Sequence, residues 1–224
     1  MRPMLSPLPR TFFERDPITC ARELIGCTVG WGSCRGIIAE TEAYAAVGDD
    51  ACHTWNRPST RLFVAENPPG AAYVYFNYGM YWMLNVLVKG PESEGFVLFR
   101  ALEPTRGIPL MMRRRMANRK AGAGELPVTA LCSGPGKLAQ ALGVTGRDHG
   151  RDFCTDAQIS ITAPERPATV ETCLRIGISR AQEFPWRFLL ASSAHVSVAA
   201  GVPARALQRA RSKKEGQTAK QSGL

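Results

Sequence analysis

The chain has 224 residues, 45% of them hydrophobic and 21% charged, which fits one soluble globular domain with a sizeable core, or at most two small ones. Lys and Arg outnumber Asp and Glu by 28 to 19, a formal charge of +9, so the expected partner is anionic, with nucleic acid and anionic membrane the obvious classes. Seven cysteines with no C-x-x-C pair argue against a disulfide framework, three histidines against a zinc site, and no apolar run approaches the ~20 residues of a membrane span.

The N-terminus lacks the apolar region of a signal peptide and meets acids at Glu14 and Asp16, so it reads as mature cytosolic sequence. Asp16-Pro17 suits a helix cap followed by proline at the first helical position. Ile18, Ala21, Leu24 and Ile25 then form one helical face, and Gly26 ends the helix. Strand-like runs follow at 27–32 and 36–42, with Gly32-Ser33 near the turn. The second run leads into Glu40-Thr41-Glu42-Ala43-Tyr44, and His53 comes nine residues later. Residues two apart on a strand share a face, so Glu40, Glu42 and Tyr44 project together. Two carboxylates and a phenol near an imidazole suit a reaction centre; the pattern equally suits a solvated strand edge.

Residues 45–72 read as a long irregular loop, punctuated by Asp49-Asp50, Pro58, Asn67-Pro68-Pro69 and Gly70. Long ordered loops tend to be functional. Strands are predicted over 73–76, 81–88 and 96–102, separated by Gly79 and Gly90-Pro91. Tyr73, Tyr75, Tyr78 and Tyr81 form a patch that suits core packing or, beside a basic surface, base stacking. Tyr78-Gly79-Met80 reads as a tight turn whose bulky tip suits a wedge between base pairs. Asn85 alternates with apolar neighbours, so its amide faces something polar or is a satisfied core group. Arg100 shares a face with Phe96 and Leu98. A buried arginine needs an anion, and a nearby glutamate is the economical partner, structural or functional.

A helix is predicted over 108–118, inside an acid-free stretch that carries Arg106, Arg113, Arg114, Arg115, Arg119 and Lys120. Ser133 resembles the N-cap of a helix carrying Leu138 and Leu142 and ended by Gly143. Strand-like runs return at 158–162, 173–179 and 187–192. Residues 1–203 read as one α+β domain and 204–224 as a basic, flexible tail. Glu42 is the first candidate for a general base, and Glu40, one pleat deeper, is the alternative or a structural ion-pair partner. Paired carboxylates suggest glycoside hydrolysis. The basic charge and tyrosine patch would make that glycoside a nucleoside within a polyanion.

The segments Gly36-Ile-Ile-Ala-Glu-Thr-Glu-Ala-Tyr44, Asp50-Ala-Cys-His53, Tyr73-Val-Tyr-Phe-Asn-Tyr-Gly-Met-Tyr81, Val97-Leu-Phe-Arg-Ala-Leu-Glu-Pro104 and Cys132-Ser-Gly-Pro-Gly-Lys-Leu138 resemble the 3-methyladenine (alkyladenine) DNA glycosylases. The resemblance runs from about Phe12 to Val198 in the same order. It implies that family's fold, a single α+β domain with a curved, mostly antiparallel β-sheet core and surrounding helices. It implies a monofunctional enzyme without metal or cofactor, a monomer of the bacterial cytoplasm associated with the nucleoid. The substrate implied is double-stranded DNA containing damaged purines: 3-methyladenine, 7-methylguanine, hypoxanthine or ethenoadenine.

By the same resemblance Glu42 is the general base that deprotonates water, and Arg100 and the Ile176 carbonyl help hold that water. Tyr44, His53 and Tyr75 match the residues that sandwich the flipped base. Tyr78 matches the side chain that fills the gap in the duplex, and Asn85 the one that clashes with the 2-amino group of guanine. Arg113, Arg114, Arg115 and Lys137 are the candidates for contact with backbone phosphates. The chain departs from the family pattern at the loop Thr54–Leu62, at Ser192-Ser193-Ala194-His195 and at Asn77. The first borders the pocket and so bears on lesion preference. The alternative is a non-catalytic nucleic-acid-binding domain on the same fold, which has no need for a carboxylate that repels phosphate.

Overall fold

The computed structural model describes residues 6–77, 79–117, 119 and 124–201; Tyr78 and the 204–224 tail lie outside the described residues. In chain order come helices α1 (Arg10–Phe13) and α2 (Pro17–Glu23), strands β1 (Thr28–Trp31) and β2 (Cys34–Ala45), a 3-10 turn at His53–Trp55 and helix α3 (Pro58–Glu66). Strands β3 (Ala72–Asn77), β4 (Tyr81–Lys89) and β5 (Glu94–Arg106) follow, then helices α4 (Ile108–Met116) and α5 (Pro135–Leu142). Strands β6 (Ile159–Thr162), β7 (Val170–Cys173) and β8 (Arg187–Leu190) complete the sheet. No helix among the described residues is long and apolar enough to cross a membrane.

The expected α+β class holds: helices surround one curled antiparallel sheet in the order β3-β4-β5-β2-β1-β6, with β8 on β2 and β7 on β8. Strand β2 organises it. One edge of β2 pairs with β5 along nearly its whole length; the other pairs with β1 through residues 34–37 and with β8 through Glu40, Thr41 and Glu42. The β2–β5 register shifts between Ile38 and Glu40 and again between Glu40 and Thr41. Such irregularities bend a strand and sharpen its twist, so the curl of the sheet falls at the two glutamates.

Strand alternation then divides the core in two. Ala72 and Val74 of β3, Leu84, Val86 and Val88 of β4, and Val97 and Phe99 of β5 join the main core with helices α2 and α5. The opposite faces supply Tyr73, Leu87 and Phe96 to a smaller cluster closed by Cys52, Phe63 and Val64, against which Tyr44 and Tyr75 pack. The period of two thus places the aromatic residues on the same side of the sheet as Glu42.

Four local expectations need correction. The 45–72 loop contains helix α3, because Pro58 is its first helical residue rather than loop punctuation, and Thr60, Phe63 and Val64 form its buried face. Ser133 is not the cap of α5: Pro135 is at the first position, so the cap falls on Gly134, and the Ser133 hydroxyl accepts from Lys137 Nζ at 3.3 Å. The 173–179 strand is β7, ending at Cys173, because the Ile176 amide is drawn to a side-chain carboxylate instead of a neighbouring strand. Ile18 is exposed; α2 buries Pro17, Cys20 and Ala21 behind the Asp16 cap, whose carboxylate accepts from the Ile18 and Thr19 amides.

The end of β2 is held by close backbone approach. Gly95 pairs with Ala45, and a Cβ there would stand 2.0 Å from the Tyr44 carbonyl oxygen. Gly95→Ala is therefore expected to push the strand end away at a cost of about 1–3 kcal/mol, read as a lower melting temperature with reduced activity. An unchanged melting temperature would show that the strand end has room to move.

Candidate active site

Two carboxylates lie buried under the bend in β2. Glu40 and Glu42 are both 0% exposed, so each must be fully compensated by partners. Arg100, which falls in the register irregularity of β5 between the partners of Glu40 and Thr41, bridges them: its Nε donates to Glu40 Oε1 at 2.8 Å and its Nη1 to Glu42 Oε2 at 3.1 Å. The anion that a buried Arg100 requires is thus a pair of glutamates. Burial works against the charge on Arg100, yet Glu42 and Glu40 hold its pKa above the ordinary value.

The hydrogen bonds make the two acids unequal. A carboxylate has about four acceptor positions. Glu40 receives four donors: Arg100 Nε, Arg187 Nη1 at 3.1 Å, Ser197 N at 2.6 Å and Ser197 Oγ at 2.8 Å. Burial pushes its pKa up, but Arg100, Arg187 and Ser197 more than offset this and leave it below the usual carboxylate range. Glu42 receives three donors among the described residues: the Tyr44 hydroxyl at 2.7 Å and Arg100 on Oε2, and the Ile176 amide at 2.8 Å on Oε1. One acceptor position, on Oε1, remains. Glu40 Oε2, which takes only the Ser197 amide, keeps one as well, but apart from Arg100 the donors to Glu40 do not line the cleft beside Glu42.

A cleft of ≈ 810 Å³ lies beside Glu42, and its lining includes Tyr44, His53, Tyr75, Asn85, Arg100 and Ile176. The fold therefore gathers these six predicted residues, drawn from β2, the 3-10 turn, β3, β4, β5 and the segment after β7. Glu42 itself sits just behind the surface; its three donors all belong to the cleft lining. Ile176 contributes its amide N–H, which donates to Glu42 Oε1.

The aromatic residues are fixed by their own contacts. His53 packs edge-on against Tyr75 with ring centroids 4.4 Å apart, so the two form one continuous wall. His53 Nδ1 lies 3.0 Å from the Tyr73 hydroxyl, which is also 2.9 Å from Thr60 Oγ1 of α3. Burial and the nearby Arg57 lower His53 to about 4, so it is neutral at neutral pH. Burial and the adjacent Glu42 raise Tyr44 well above the usual phenol range, so it keeps the proton it donates. Asn85 is buried, and its Nδ2 donates to the Tyr73 carbonyl at 3.0 Å, which fixes the orientation of the amide.

The basic candidates separate. Arg113 and Lys137 are exposed. Arg114 instead closes the C-terminus of α5, with Nη1 donating to the carbonyls of Ala141 at 3.0 Å and Leu142 at 2.6 Å. Arg115 is bound to the side chain of Gln140. Both are therefore tied to α5 rather than held out as free cations. Tyr78 lies outside the described residues.

Four residues of the site were not anticipated. Arg187 and Ser197 complete the shell of Glu40, and Arg175 forms a buried ion pair with Asp49 at 2.6 Å directly beside Ile176. A signal existed for two of them: Arg175 and Arg187 each interrupt an apolar run, as Arg100 does.

The family model described as "Methylpurine-DNA glycosylase (MPG)" matches residues 11–194. A protein of Rhizobium etli is 44% identical over 188 residues, covering 84% of this chain and 87% of its own length. One from Rhodopseudomonas palustris is 42% identical over 196 residues, covering 87% and 90%. One from Chlorobium luteolum is 39% identical over 199 residues, covering 86% and 97%. Each of the three bears the name "Putative 3-methyladenine DNA glycosylase". With the match spanning both glutamates, Arg100 and every aromatic residue of the cleft, the chain belongs to the methylpurine-DNA glycosylase family.

Proposed function

We propose that this chain is a DNA-repair glycosylase that hydrolyses the bond between a damaged purine and deoxyribose in duplex DNA, with Glu42 as general base. The observation that carries the reading is the inequality of the two buried acids: every donor to Glu42 lines the cleft and its Oε1 keeps an acceptor position, whereas Glu40 is held largely by Arg187 and Ser197, which do not line it. A water seated among Tyr44, Arg100 and Ile176 reaches that position. Glu42 takes its proton as the oxygen attacks the sugar carbon, and Arg100, hydrogen-bonded to Oε2, orients the carboxylate. The purine departs with the bonding electrons and leaves an abasic site.

A stacked base cannot reach this cleft, so the nucleotide is extruded at a cost of a few kcal/mol, least where pairing is already weakened. The base then packs between Tyr44 and the His53–Tyr75 wall. An N-alkylated purine is often cationic, aromatic faces favour a cation by ~0.5–2 kcal/mol, and a neutral His53 adds no repulsion. Such a cation leaves readily without a general acid. This fits 3-methyladenine, the base in the relatives' names. Asn85 stands in the wall where it discourages the 2-amino group of guanine, Tyr78 fills the gap in the duplex, and Arg113 and Lys137 meet backbone phosphates.

The test is release of free base from duplexes carrying 3-methyladenine, 7-methylguanine, hypoxanthine or ethenoadenine. Release of at least one, with an abasic site left behind, is expected. Tight duplex binding with no release from any of the four would make the chain a binding module instead.

A further inference from the structure

Among the described residues, the charges around the cleft are matched, with one exception. Arg100 and Arg187 sit against Glu40 and Glu42, Arg175 against Asp49, and Arg180 reaches Asp50 at 3.9 Å. Arg57 also lines the cleft, yet among the described residues it has no carboxylate in ion-pair range and no side-chain hydrogen bond. Its guanidinium carbon lies 6.0 Å from the Tyr75 ring centroid.

The backbone fixes this position from both sides. The Arg57 amide donates to the His53 carbonyl at 2.9 Å, closing the 3-10 turn. Its own carbonyl accepts from the Thr60 amide at 3.1 Å and the Arg61 amide at 3.3 Å, starting α3, and Pro58 sets the first helical residue. An exposed arginine so placed carries an unneutralised positive charge at the mouth of the base pocket.

We propose that Arg57 is a specificity-determining residue that reduces the advantage the aromatic wall gives to cationic N-alkylated purines and so shifts this chain toward neutral damaged ones. The proposal rests on the glycosylase reading above. An aromatic wall alone favours a cationic base. Here the Tyr75 face already holds a cation, so a second one entering the pocket meets repulsion. For a base packed against Tyr75, on the order of 6–9 Å from that guanidinium, repulsion screened at a partly exposed site amounts to about a three- to tenfold discrimination. A neutral purine meets none, and its ring nitrogens or carbonyl suit the guanidinium donors.

The experiment compares single-turnover release of 7-methylguanine, as the cation, and hypoxanthine, as the neutral base, from otherwise identical duplexes. In Arg57→Gln the ratio of the cationic to the neutral rate is expected to rise about three- to tenfold. In Arg57→Lys, which keeps the charge, the ratio is expected to stay near that of the unaltered protein. Equal losses on both lesions, with a shallower dependence of binding on salt, would make Arg57 a phosphate contact and overturn the proposal. An unchanged ratio in Arg57→Gln would overturn it as well. If the unaltered protein released neither of these two bases, the same ratio would be read on 3-methyladenine, as the cation, and ethenoadenine, as the neutral base; release of none of the four would bring down the glycosylase reading, and this proposal with it.

Discussion

Glu42→Gln is expected to lower base release by about 10²–10⁴-fold, the usual contribution of a general base, while the protein still folds and still binds a duplex bearing an abasic-site analogue. Glutamine keeps the shape of the side chain and can accept from the Ile176 amide, but it cannot take a proton from water. Arg100 retains Glu40 as its counter-ion through Nε, so the buried charge is not orphaned. Glu40→Gln makes the contrast. There Arg100 and Arg187 together lose the carboxylate they share, and the main expected loss is stability. The Glu40 pKa is held below the ordinary value in the fold, so its stabilising contribution is present above the unfolded pKa and is lost as pH falls through the folded one. Removing the carboxylate should therefore flatten the acid side of the stability profile. Melting temperature and single-turnover rate, measured on both variants, separate the roles. Turnover by Glu42→Gln within tenfold of the unaltered protein would sink the general-base assignment.

Much of this site was legible because strand alternation is a short-range rule. Glu40, Glu42 and Tyr44 share a face through the period of two, and Arg100 betrays itself as a charge among Phe96, Leu98 and Leu102. The family resemblance added the pocket residues that periodicity could not connect, such as His53 and Asn85. What was not legible depends on contacts between distant segments. The inequality of the two glutamates comes from Ser197 and Arg187, about 150 residues further along the chain. The roles of Arg114 and Arg115 also depend on where α5 packs against α4. A run of arginines looks alike in sequence whether it faces phosphate or caps a neighbouring helix. Pro58 is ambiguous for a simpler reason, since proline marks both a break in a loop and the first residue of a helix.

The largest expected loss of stability lies beside the site, at Asp49. Its carboxylate is bound by Arg175 Nη1 at 2.6 Å and Nη2 at 2.8 Å, with both side chains 0% exposed, and it also accepts from the amides of Ala45 and Ala51. Arg175 in turn donates to the carbonyls of Ala43 and Ala181, and its guanidinium lies 4.7 Å from the Tyr44 ring. Asp49→Ala would leave that guanidinium buried without a counter-ion, at a cost of about 3–5 kcal/mol. For a chain of this size that corresponds to a fall in melting temperature on the order of 10 °C. Replacing both partners with apolar groups, Asp49→Leu with Arg175→Met, should restore much of the loss, since a buried pair contributes little net stability once neither charge remains. Catalysis should not be restored in step. The Ile176 amide that holds Glu42 Oε1 follows Arg175 directly in the chain, and Tyr44, the other donor beside it, packs under the same guanidinium. A double variant that recovers melting temperature but remains slow in single turnover would show that the ion pair positions Glu42 as well as bracing the fold. Full recovery of rate would confine Asp49 and Arg175 to stability, whereas a loss below about 1 kcal/mol in Asp49→Ala would mean that water reaches and solvates Arg175.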